Sequence, residues 1–320
     1  MEKILVIGAL GQLGSELTAS LAEKHGLDNV IATDIKPFSA KTFSCKYFQL
    51  DALNKEAILK SVQENAISQI YHLAAILSAK GEQNPSKAWD INMTSLLNVL
   101  EVGKEMNSKI YWPSSIAVFG PGTPKENTLQ NTVMDPNTVY GISKLAGERW
   151  CEYYFQKYAV DVRSLRYPGL IGWRALPGGG TTDYAVEIYH HALQSGEYTC
   201  FLEKNTRLPM MYMNDAVRAT IELMDAPASN IRIRSSYNVS AMSFSPAEIA
   251  KSIAHKIPGF RITYSPDFRQ KIAESWPASI DDTKAKEDWN WQPEFDLEKM
   301  TAEMLANLEQ TLNRPIDEKL

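Results

Sequence analysis

Lys3-Ile4-Leu5-Val6-Ile7 is followed by Gly8-Ala9-Leu10-Gly11-Gln12-Leu13-Gly14 and then by a helix-like pattern that runs to about Lys24. The apolar run predicts a buried strand, and the three glycines predict a tight turn into a helix. The first glycine allows the turn, the second lets backbone approach a pyrophosphate, and the third lets the helix pack on the strand. The helix N-terminus offers free N–H groups and a partial positive charge to phosphates. This stretch therefore predicts a dinucleotide-binding unit that begins an α/β fold.

A second apolar run, Val30-Ile31-Ala32-Thr33, ends in Asp34, twenty residues after Gly14. An acid at this distance accepts hydrogen bonds from both ribose hydroxyls of an adenosine. Strand, turn, helix, strand and acid in this order predict that the cofactor is NAD. The alternative is a glycine-rich turn in an α/β domain that binds no nucleotide.

The composition bounds the class of protein. A chain of 320 residues predicts about two domains, or one domain with a large appendage. The net charge of −5 gives no reason to expect nucleic acid or an anionic membrane as a partner. No apolar stretch approaches the roughly 18 residues that cross a bilayer. Because the first predicted strand begins at the third residue, we expect no signal or transit peptide in this form of the chain.

The cysteines and histidines give no sign of a metal site. Cys45, Cys151 and Cys200 are far apart in sequence and lack the spacing of metal ligands. They predict reduced thiols in a cytoplasmic setting. His190 and His191 would point about 100° apart on a helix, so we do not expect them to share a metal ion.

Strand and helix patterns alternate through the first half of the chain. Further strands are predicted at 47–51, 70–75, 109–112 and 160–165, and helices at about 54–65, 85–106 and 137–158. Alternation of this kind predicts a Rossmann-type, doubly wound parallel sheet that binds its ligand at the carboxyl ends of the strands.

The pattern changes after Arg166, where prolines and the run Gly178-Gly179-Gly180 interrupt regular structure. We predict an NAD-binding domain over residues 1–170 and a smaller, mainly substrate-binding C-terminal lobe over 171–320. Segments near 209–224 and 235–241 are expected to return to the first domain.

Three side chains are predicted to perform the chemistry. Ser115 follows the strand at 109–112, and Tyr140 and Lys144, four residues apart, share one face of the next helix. A tyrosine phenol has a pKa of about 10, and a neighbouring ammonium and a positive nicotinamide ring both favour its phenolate. Lowering that pKa by about three units corresponds to about 4 kcal/mol. We expect Tyr140 to take a proton from an alcohol as hydride leaves, Ser115 to bond the same oxygen, and Lys144 also to hold the cofactor's ribose.

Tyr153 and Lys157 repeat the same spacing in the same helix. Thirteen residues at about 100° each place Tyr153 some 140° around the helix from Tyr140, so both pairs cannot face one nicotinamide. The first pair is preferred because a loop joins it to Ser115 and because Gly141 allows close approach. Tyr153 is assigned to ordinary packing.

Several further positions are expected near the cofactor, each with a plainer alternative. Asp51 would bind the adenine amino group or cap its strand, and Asn92 would brace the active site or be a helix-surface amide. His72 is expected to be a core histidine. The residues predicted to contact the cofactor are Gly8, Gly11, Gln12, Leu13, Gly14, Asp34, Leu50, Asp51, Leu73, Ala74, Ala75, Asn92, Tyr140, Lys144 and Tyr167.

Together these features resemble the extended short-chain dehydrogenase/reductase superfamily over nearly the whole chain. The matching features are the glycine pattern, Asp34, Leu73-Ala74-Ala75, Ser115, and Tyr140 with Lys144. The chain is most similar to the branch of L-threonine 3-dehydrogenases, in the segments 112–120, 166–171, 180–185, 208–212 and 275–277. The resemblance implies NAD-dependent oxidation of the L-threonine 3-hydroxyl to 2-amino-3-oxobutyrate, a step of L-threonine catabolism. It also implies a homodimer, formed through a four-helix bundle of the helices near 85–106 and 138–158.

Departures from the pattern of sugar-nucleotide enzymes favour that branch. Ile116 and Ala117 stand where dehydratases of the superfamily carry Asp-Glu, and Gly169 stands where many sugar-nucleotide enzymes have asparagine. Arg207 lies where epimerases place an arginine on the nucleotide diphosphate, unless it only forms a surface ion pair. An NAD-dependent sugar-nucleotide 4-epimerase therefore remains the alternative. A non-catalytic NAD sensor is a third hypothesis, against which the intact Ser-Tyr-Lys set argues.

A small zwitterion such as threonine needs donors for its carboxylate and an acceptor for its ammonium. The glycine-rich run that ends in Gly180-Thr181-Thr182 enters an amphipathic helix and offers hydroxyls and free N–H groups. We assign the carboxylate there, preferably to Thr182; the alternative for either threonine is N-capping alone. Ser78 is a second polar candidate, and Trp276 either closes the pocket or only packs. With Ser115 and Tyr140, these are the predicted substrate-binding residues.

Overall fold

The structure is a computed structural model that describes residues 2–37 and 43–312. Its strands, numbered in chain order, are β1 (Ile4–Ile7), β2 (Val30–Asp34), β3 (Lys46–Gln49), β4 (Gln69–His72), β5 (Lys109–Tyr111), β6 (Ser114–Ser115), β7 (Val162–Arg163), β8 (Leu165–Tyr167), β9 (Gly169–Ile171), β10 (Glu197–Cys200), β11 (Leu208–Tyr212), β12 (Tyr237–Asn238), β13 (Met242–Phe244) and β14 (Arg261–Tyr264). Its α-helices are α1 (Gln12–His25), α2 (Lys55–Glu64), α3 (Ser78–Gln83), α4 (Pro85–Met106), α5 (Val139–Tyr158), α6 (Tyr184–Gln194), α7 (Met213–Asp225), α8 (Pro246–Lys256), α9 (Phe268–Ser275), α10 (Thr283–Trp289) and α11 (Leu297–Leu312).

The central sheet has six parallel strands in the order β3-β2-β1-β4-β5-β7. The strand order reverses between β1 and β4, which creates the switch point at which ligands bind in doubly wound sheets. This confirms the predicted Rossmann-type fold.

Alternate residues of β1 supply the hydrophobic clusters on the two faces of the sheet. Ile4 and Val6 join a cluster with α1, α7 and the segment around Trp289, whereas Leu5 and Ile7 join a cluster with α2, α4 and α5. A strand that is buried on both faces has a continuous apolar sequence, and the first strand could therefore be predicted from the sequence.

The second half of the chain adds small sheets beside the central one. In one of them β12 pairs with β8, which in turn pairs with β6, and in another β11 lies between β13 and β9. A third hydrophobic cluster joins α6, α8 and α11 around Tyr189 and Met304. The division at residue 170 stays a prediction.

Three predicted strands differ by more than one residue from those observed. The strand expected over 47–51 is Lys46–Gln49, and it ends opposite Asp34, where its partner β2 ends. The strand expected over 70–75 ends at His72, because its partner β1 ends at Ile7 where the glycine turn begins. The strand expected over 160–165 is split. Val162–Arg163 pairs in the central sheet, whereas Leu165–Tyr167 pairs with β6 and β12.

Candidate active site

Two adjoining cavities lie at the carboxyl end of the central sheet. The first, of about 250 Å³, lies between the glycine turn, the start of α5 and the loop before α6. The second, of about 320 Å³, lies between the glycine turn and the ends of β2 and β4. Gly8, Gly11, Leu73 and Ala75 line both cavities, so the glycine turn separates two halves of one groove.

The glycine turn leaves no room for side chains. Gly8 has φ +88°, and a Cβ there would lie 2.7 Å from the backbone nitrogen of Ala74. A Cβ at Gly14 would overlap the carbonyl oxygen of Gly8 and lie 3.0 Å from the Cα of Ala9. Gly11 is the N-cap of α1 and has no side chain that could cap the helix. The turn therefore presents bare backbone and the N-terminus of a long helix to the groove, which fits the pyrophosphate of a dinucleotide.

The second cavity contains the predicted adenosine-binding residues. Asp34 ends β2 and is largely buried, and its carboxylate accepts hydrogen bonds from the backbone N–H groups of Leu10 at 3.0 Å and Lys36 at 3.1 Å. Leu50 and Asp51 lie on the same wall, and Asp51 also accepts from the N–H of Leu53 at 2.9 Å. The structure brings these residues to the cavity as the sequence predicts.

Ser115 and Tyr140 meet in the first cavity. Thr138 caps α5 by accepting a hydrogen bond from the N–H of Gly141 at 3.1 Å, and this helix start places Tyr140 against the cavity. The Ser115 side chain is hydrogen-bonded to Tyr140. Its hydroxyl oxygen also accepts a hydrogen bond from the N–H of Ala117 at 3.2 Å. Burial raises the pKa of Tyr140 to about 12, and the hydrogen bond from Ser115 acts in the opposite direction. The pKa of Tyr140 is therefore raised, and the lowering that was expected from Lys144 is not found, because Lys144 is not among the groups that shift this pKa.

Lys144 is buried one helical turn beyond Tyr140 and also lines the first cavity. Its ammonium donates to the carbonyl of Pro113 at 2.6 Å and lies 4.3 Å from the ring centroid of Trp112 and 5.5 Å from that of Tyr140. Burial lowers the pKa of Lys144 to about 7, whereas the charges of Cys151 and Glu148 raise it. The neutral and charged forms of this lysine are therefore close in free energy near neutral pH.

The competing tyrosine lies elsewhere. Tyr153 is 45% exposed on another face of α5 and lines neither cavity. Its ring packs edge-on against Trp150, Tyr154 and Tyr158. These contacts agree with the assignment of Tyr153 to packing.

Asn92 and Tyr167 support the site in different ways. The Asn92 side chain accepts from the N–H of Ile76 at 2.7 Å, donates to its carbonyl at 3.1 Å, and donates to Ser143 at 3.3 Å. Asn92 thus links α4 to α5, as expected of a residue that braces the active site. It lines neither cavity, so the structure does not place it where it would contact the cofactor. Tyr167 lines the first cavity, but its hydroxyl bonds Tyr111 and Thr220. His72 is buried and bonds Ser95 at 3.1 Å.

The two threonines of the glycine-rich loop have different surroundings, although both line the first cavity. The Thr181 hydroxyl oxygen is buried and makes no hydrogen bond to any described residue. Thr182 is half-buried, and its methyl group would lie 2.8 Å from a Cβ at Gly169. The N-cap of α6 is Asp183, so neither threonine caps that helix. Gly180, Ser78 and Trp276 line the same cavity.

Asp183 is a charged residue of this cavity that was not predicted from the sequence. It lines the first cavity, and its carboxylate accepts a hydrogen bond from the N–H of Gly180 at 2.8 Å. It is the only acid among the described residues that line this cavity. Its position directly after the Gly-Thr run, at the start of a helix, could have indicated that it belongs to the site.

Arg207 takes part in a surface contact. It forms an ion pair with Glu248 at 2.7 Å, donates to the carbonyl of Ser243, and lines neither cavity. Within residues 2–37 and 43–312, no group of three or more His, Cys, Asp or Glu side chains is placed to hold a metal ion. Over the same residues, no helix has the length and apolarity to span a membrane.

Comparisons with known proteins agree with this geometry. The model of the NAD dependent epimerase/dehydratase family matches residues 4–240. An uncharacterized epimerase/dehydratase of Staphylococcus haemolyticus is 46% identical over 313 residues, which are 97% of this chain and 98% of the relative.

Two solved structures are also similar to nearly the whole chain. A GalE-like L-threonine dehydrogenase from Cupriavidus necator, in its holo form, is 54% identical with a TM-score of 0.94 and covers 96% of this chain and 99% of its own. The L-threonine dehydrogenase from Phytophthora infestans is 46% identical with a TM-score of 0.94 and covers 97% of this chain and 99% of its own.

Proposed function

The chain belongs to the NAD dependent epimerase/dehydratase family. Within this family, we propose that it is an L-threonine 3-dehydrogenase. It would oxidise the 3-hydroxyl of L-threonine to a ketone and give 2-amino-3-oxobutyrate and NADH. The observation that carries the proposal is the small first cavity, in which the pair Ser115 and Tyr140 shares the walls with Thr181 and Asp183. Solved structures that are 46–54% identical and bear the name L-threonine dehydrogenase support it.

The groove offers a place for each part of NAD. The glycine turn and the start of α1 would hold the pyrophosphate, Asp34 the adenosine ribose, and Lys144 with Tyr140 the nicotinamide ribose. Leu50 and Asp51 would enclose the adenine. When bound, NAD supplies a hydride acceptor with a positively charged ring.

Tyr140 would act as the general base. Burial holds the pKa of its phenol at about 12, so the phenolate forms only where positive charge lies close by. The charged form of Lys144 supplies part of that charge, because its ammonium lies 5.5 Å from the tyrosine ring centroid. Ser115 would donate to the substrate oxygen and hold it beside the phenol while the proton moves to Tyr140.

The substrate's charged groups would be held by the loop before α6, which lines the same cavity. Thr181 has a buried hydroxyl with no partner among the described residues, so a bound carboxylate would satisfy it. On this ground we propose Thr181, in preference to Thr182, as the carboxylate donor, with Ser78, which lines the same cavity, as a second candidate. Asp183 would accept the ammonium, since it is the only acid lining the described part of this cavity. Trp276 would close the pocket.

The first cavity disfavours a nucleotide sugar. At about 250 Å³ it is smaller than the roughly 300–1,000 Å³ of pockets for drug-sized ligands, and it must also receive the nicotinamide. Any side chain at position 169 would collide with Met210 and Thr182, so the loop lies close against the strand end. Arg207 pairs with Glu248 and lines neither cavity, so the structure gives no support for a diphosphate contact at this residue.

The proposed activity is tested by mixing purified protein with NAD and L-threonine and following NADH by absorbance. A dehydrogenase releases its NADH at each turnover, whereas an epimerase keeps it between two half-reactions. We expect continuous NADH formation with L-threonine and none with UDP-galactose. Turnover of UDP-galactose without net NADH, and no reaction with L-threonine, would establish the epimerase instead.

Asp34 predicts a preference for NAD over NADP. Its carboxylate would accept a hydrogen bond from a free 2′-hydroxyl and repel a 2′-phosphate, and the neighbouring Lys36 would only partly offset that repulsion. We expect kcat/KM to be at least about tenfold higher with NAD, a difference of about 1.4 kcal/mol. Equal values, or a higher value with NADP, would show that Asp34 does not select the cofactor.

We propose further that the protein is a cytoplasmic enzyme of L-threonine breakdown and that it forms a homodimer through α4 and α5. These two helices pack on each other, and their outer faces expose Trp89, Trp150, Tyr153 and Tyr158 at 38–45%. Two such helix pairs would form a four-helix bundle around these aromatic side chains.

A further inference from the structure

Beneath the candidate site, a buried carboxylate joins three structural elements. Glu148 is fully buried, and its Oε1 accepts hydrogen bonds from the Ser114 hydroxyl at 2.7 Å and from Nε of Arg166 at 2.8 Å. Its Oε2 accepts from Nη2 of Arg166 at 2.7 Å. Arg166 is also buried, and its Nη1 donates to the carbonyl of Gln130 at 2.9 Å and to the side chain of Asn238 at 3.1 Å. Every oxygen of the carboxylate therefore has a partner.

Two of the three elements, α5 and β6, carry the proposed catalytic residues, and the third, β8, lies beside β6. Glu148 lies on α5 one turn after Lys144 and two turns after Tyr140, on the same face of the helix. Ser114 directly precedes Ser115 in β6. Arg166 pairs in register with Ser114 in the neighbouring strand β8. The carboxylate thus fixes α5 against the strand end that carries Ser115.

Glu148 also follows Lys144 by four residues, on the same face of α5. In the described residues Lys144 forms no ion pair within 4.0 Å, and its ammonium donates to the carbonyl of Pro113. Burial lowers the pKa of Lys144, and this effect is opposed first by Cys151 and then by Glu148. The other titratable groups that face the lysine are Tyr140 and Cys151 on α5, His72 on β4, and Arg166 beyond Glu148. Burial lowers the pKa of His72 to about 3, so this imidazole is neutral.

We propose that Glu148 is a positioning residue: clamped by Arg166, its carboxylate holds the strand end of Ser115 and supplies the negative charge that balances the Lys144 ammonium. The link to catalysis rests on the proposed function, because it is the charged lysine that would hold the ribose and stabilise the phenolate. The competing explanation is a structural ion pair. A pair of that kind would change stability when disrupted, but it would not change the pH dependence of cofactor binding.

The test is the affinity for NAD, measured by quenching of tryptophan fluorescence from about pH 6 to about pH 10. It needs no substrate, so it stays informative even if L-threonine is not turned over. Because the charged lysine favours binding, the affinity of the unchanged protein should fall as the pH rises through the pKa of Lys144, which is about 7. Lys144→Ala should bind NAD more weakly, and its affinity should not decrease as the pH rises through this range.

In Glu148→Gln, which keeps the shape of the side chain, the fall should begin about one pH unit lower. At a pH above the midpoint, NAD should then bind about tenfold more weakly than to the unchanged protein. Arg166→Gln removes a positive charge near Lys144, so the pKa of the lysine should rise. The NAD affinity should then begin to fall at a higher pH than in the unchanged protein. Glu152→Gln is the matched control, since it removes a carboxylate from a surface ion pair with Arg149 on the same helix, and its midpoint should not move.

The proposal is supported if the midpoint pH of NAD binding moves in opposite directions in Glu148→Gln and Arg166→Gln. If one variant does not fold, the direction of the shift in the other variant is still informative. An unchanged midpoint in a folded Glu148→Gln protein, or an equal shift in Glu152→Gln, would overturn it. The proposal is also overturned without any variant of Glu148 if the unchanged protein and Lys144→Ala show the same pH dependence of NAD binding.

Discussion

Tyr140→Phe should lower kcat by at least about a hundredfold while leaving the affinity for NAD nearly unchanged. The substitution removes only the phenolic oxygen, which lines the first cavity beside Ser115. Loss of a general base typically costs about 10²–10⁴ in rate. Steady-state kinetics with saturating NAD and L-threonine measure the first effect, and fluorescence quenching measures the second.

Tyr153→Phe is the matched control for this prediction. It is the same change, four residues before a lysine in the same helix, but its ring is 45% exposed on another face and packs against Tyr158. We expect kcat to change by less than about threefold. An inactive Tyr153→Phe protein together with an active Tyr140→Phe protein would mean that the wrong face of α5 has been assigned to catalysis.

Gly8→Ala should weaken NAD binding and should destabilise the fold. The residue has φ +88°, and the new methyl group would lie 2.7 Å from the backbone nitrogen of Ala74, which lines the second cavity. Strain at positive φ costs about 1–2 kcal/mol, and overpacking costs about 1–3 kcal/mol. We therefore expect the free energy of unfolding to fall by about 2–5 kcal/mol and NAD to bind at least about tenfold more weakly.

Gly26→Ala separates the two contributions. Gly26 ends α1 with φ +90°, but its nearest neighbour would be the Asn29 side chain at 3.6 Å, and it lines neither cavity. This variant should show only the loss of about 1–2 kcal/mol from backbone strain, with unchanged NAD affinity. Equal effects of the two substitutions on NAD binding would contradict the role assigned to the close contact at Gly8.

The cofactor half of the groove was predictable from the sequence because it is built from consecutive residues. The strand, the glycine turn and Asp34 act through backbone geometry that a local pattern specifies. The spacing of Tyr140 and Lys144 similarly places both on one helix face. Local spacing alone could not show whether Tyr140 or Tyr153 is the catalytic tyrosine. The packing of α5 shows it, because one face of the helix lies against the groove and the other is exposed.

The substrate half was harder to predict because distant residues build it. Which of the two threonines has a buried hydroxyl without a partner depends on the strand end at Gly169, which Thr182 meets only after folding. The clamp of Glu148 by Arg166 joins a helix to a strand 18 residues later, and no periodicity signals that pairing. Strand ends were misplaced for the same reason, since a strand continues only as far as its partner does.

The most direct test of the account is the fate of the hydrogen on C3 of L-threonine. Protein, NAD and L-threonine carrying deuterium at C3 are mixed, and the NADH formed is analysed by mass spectrometry. If hydride passes from C3 to the cofactor while Tyr140 takes the hydroxyl proton, the NADH carries the deuterium, and the Tyr140→Phe protein forms it at least about a hundredfold more slowly. NADH without deuterium, or no NADH at all from L-threonine, would contradict the assignment of this site.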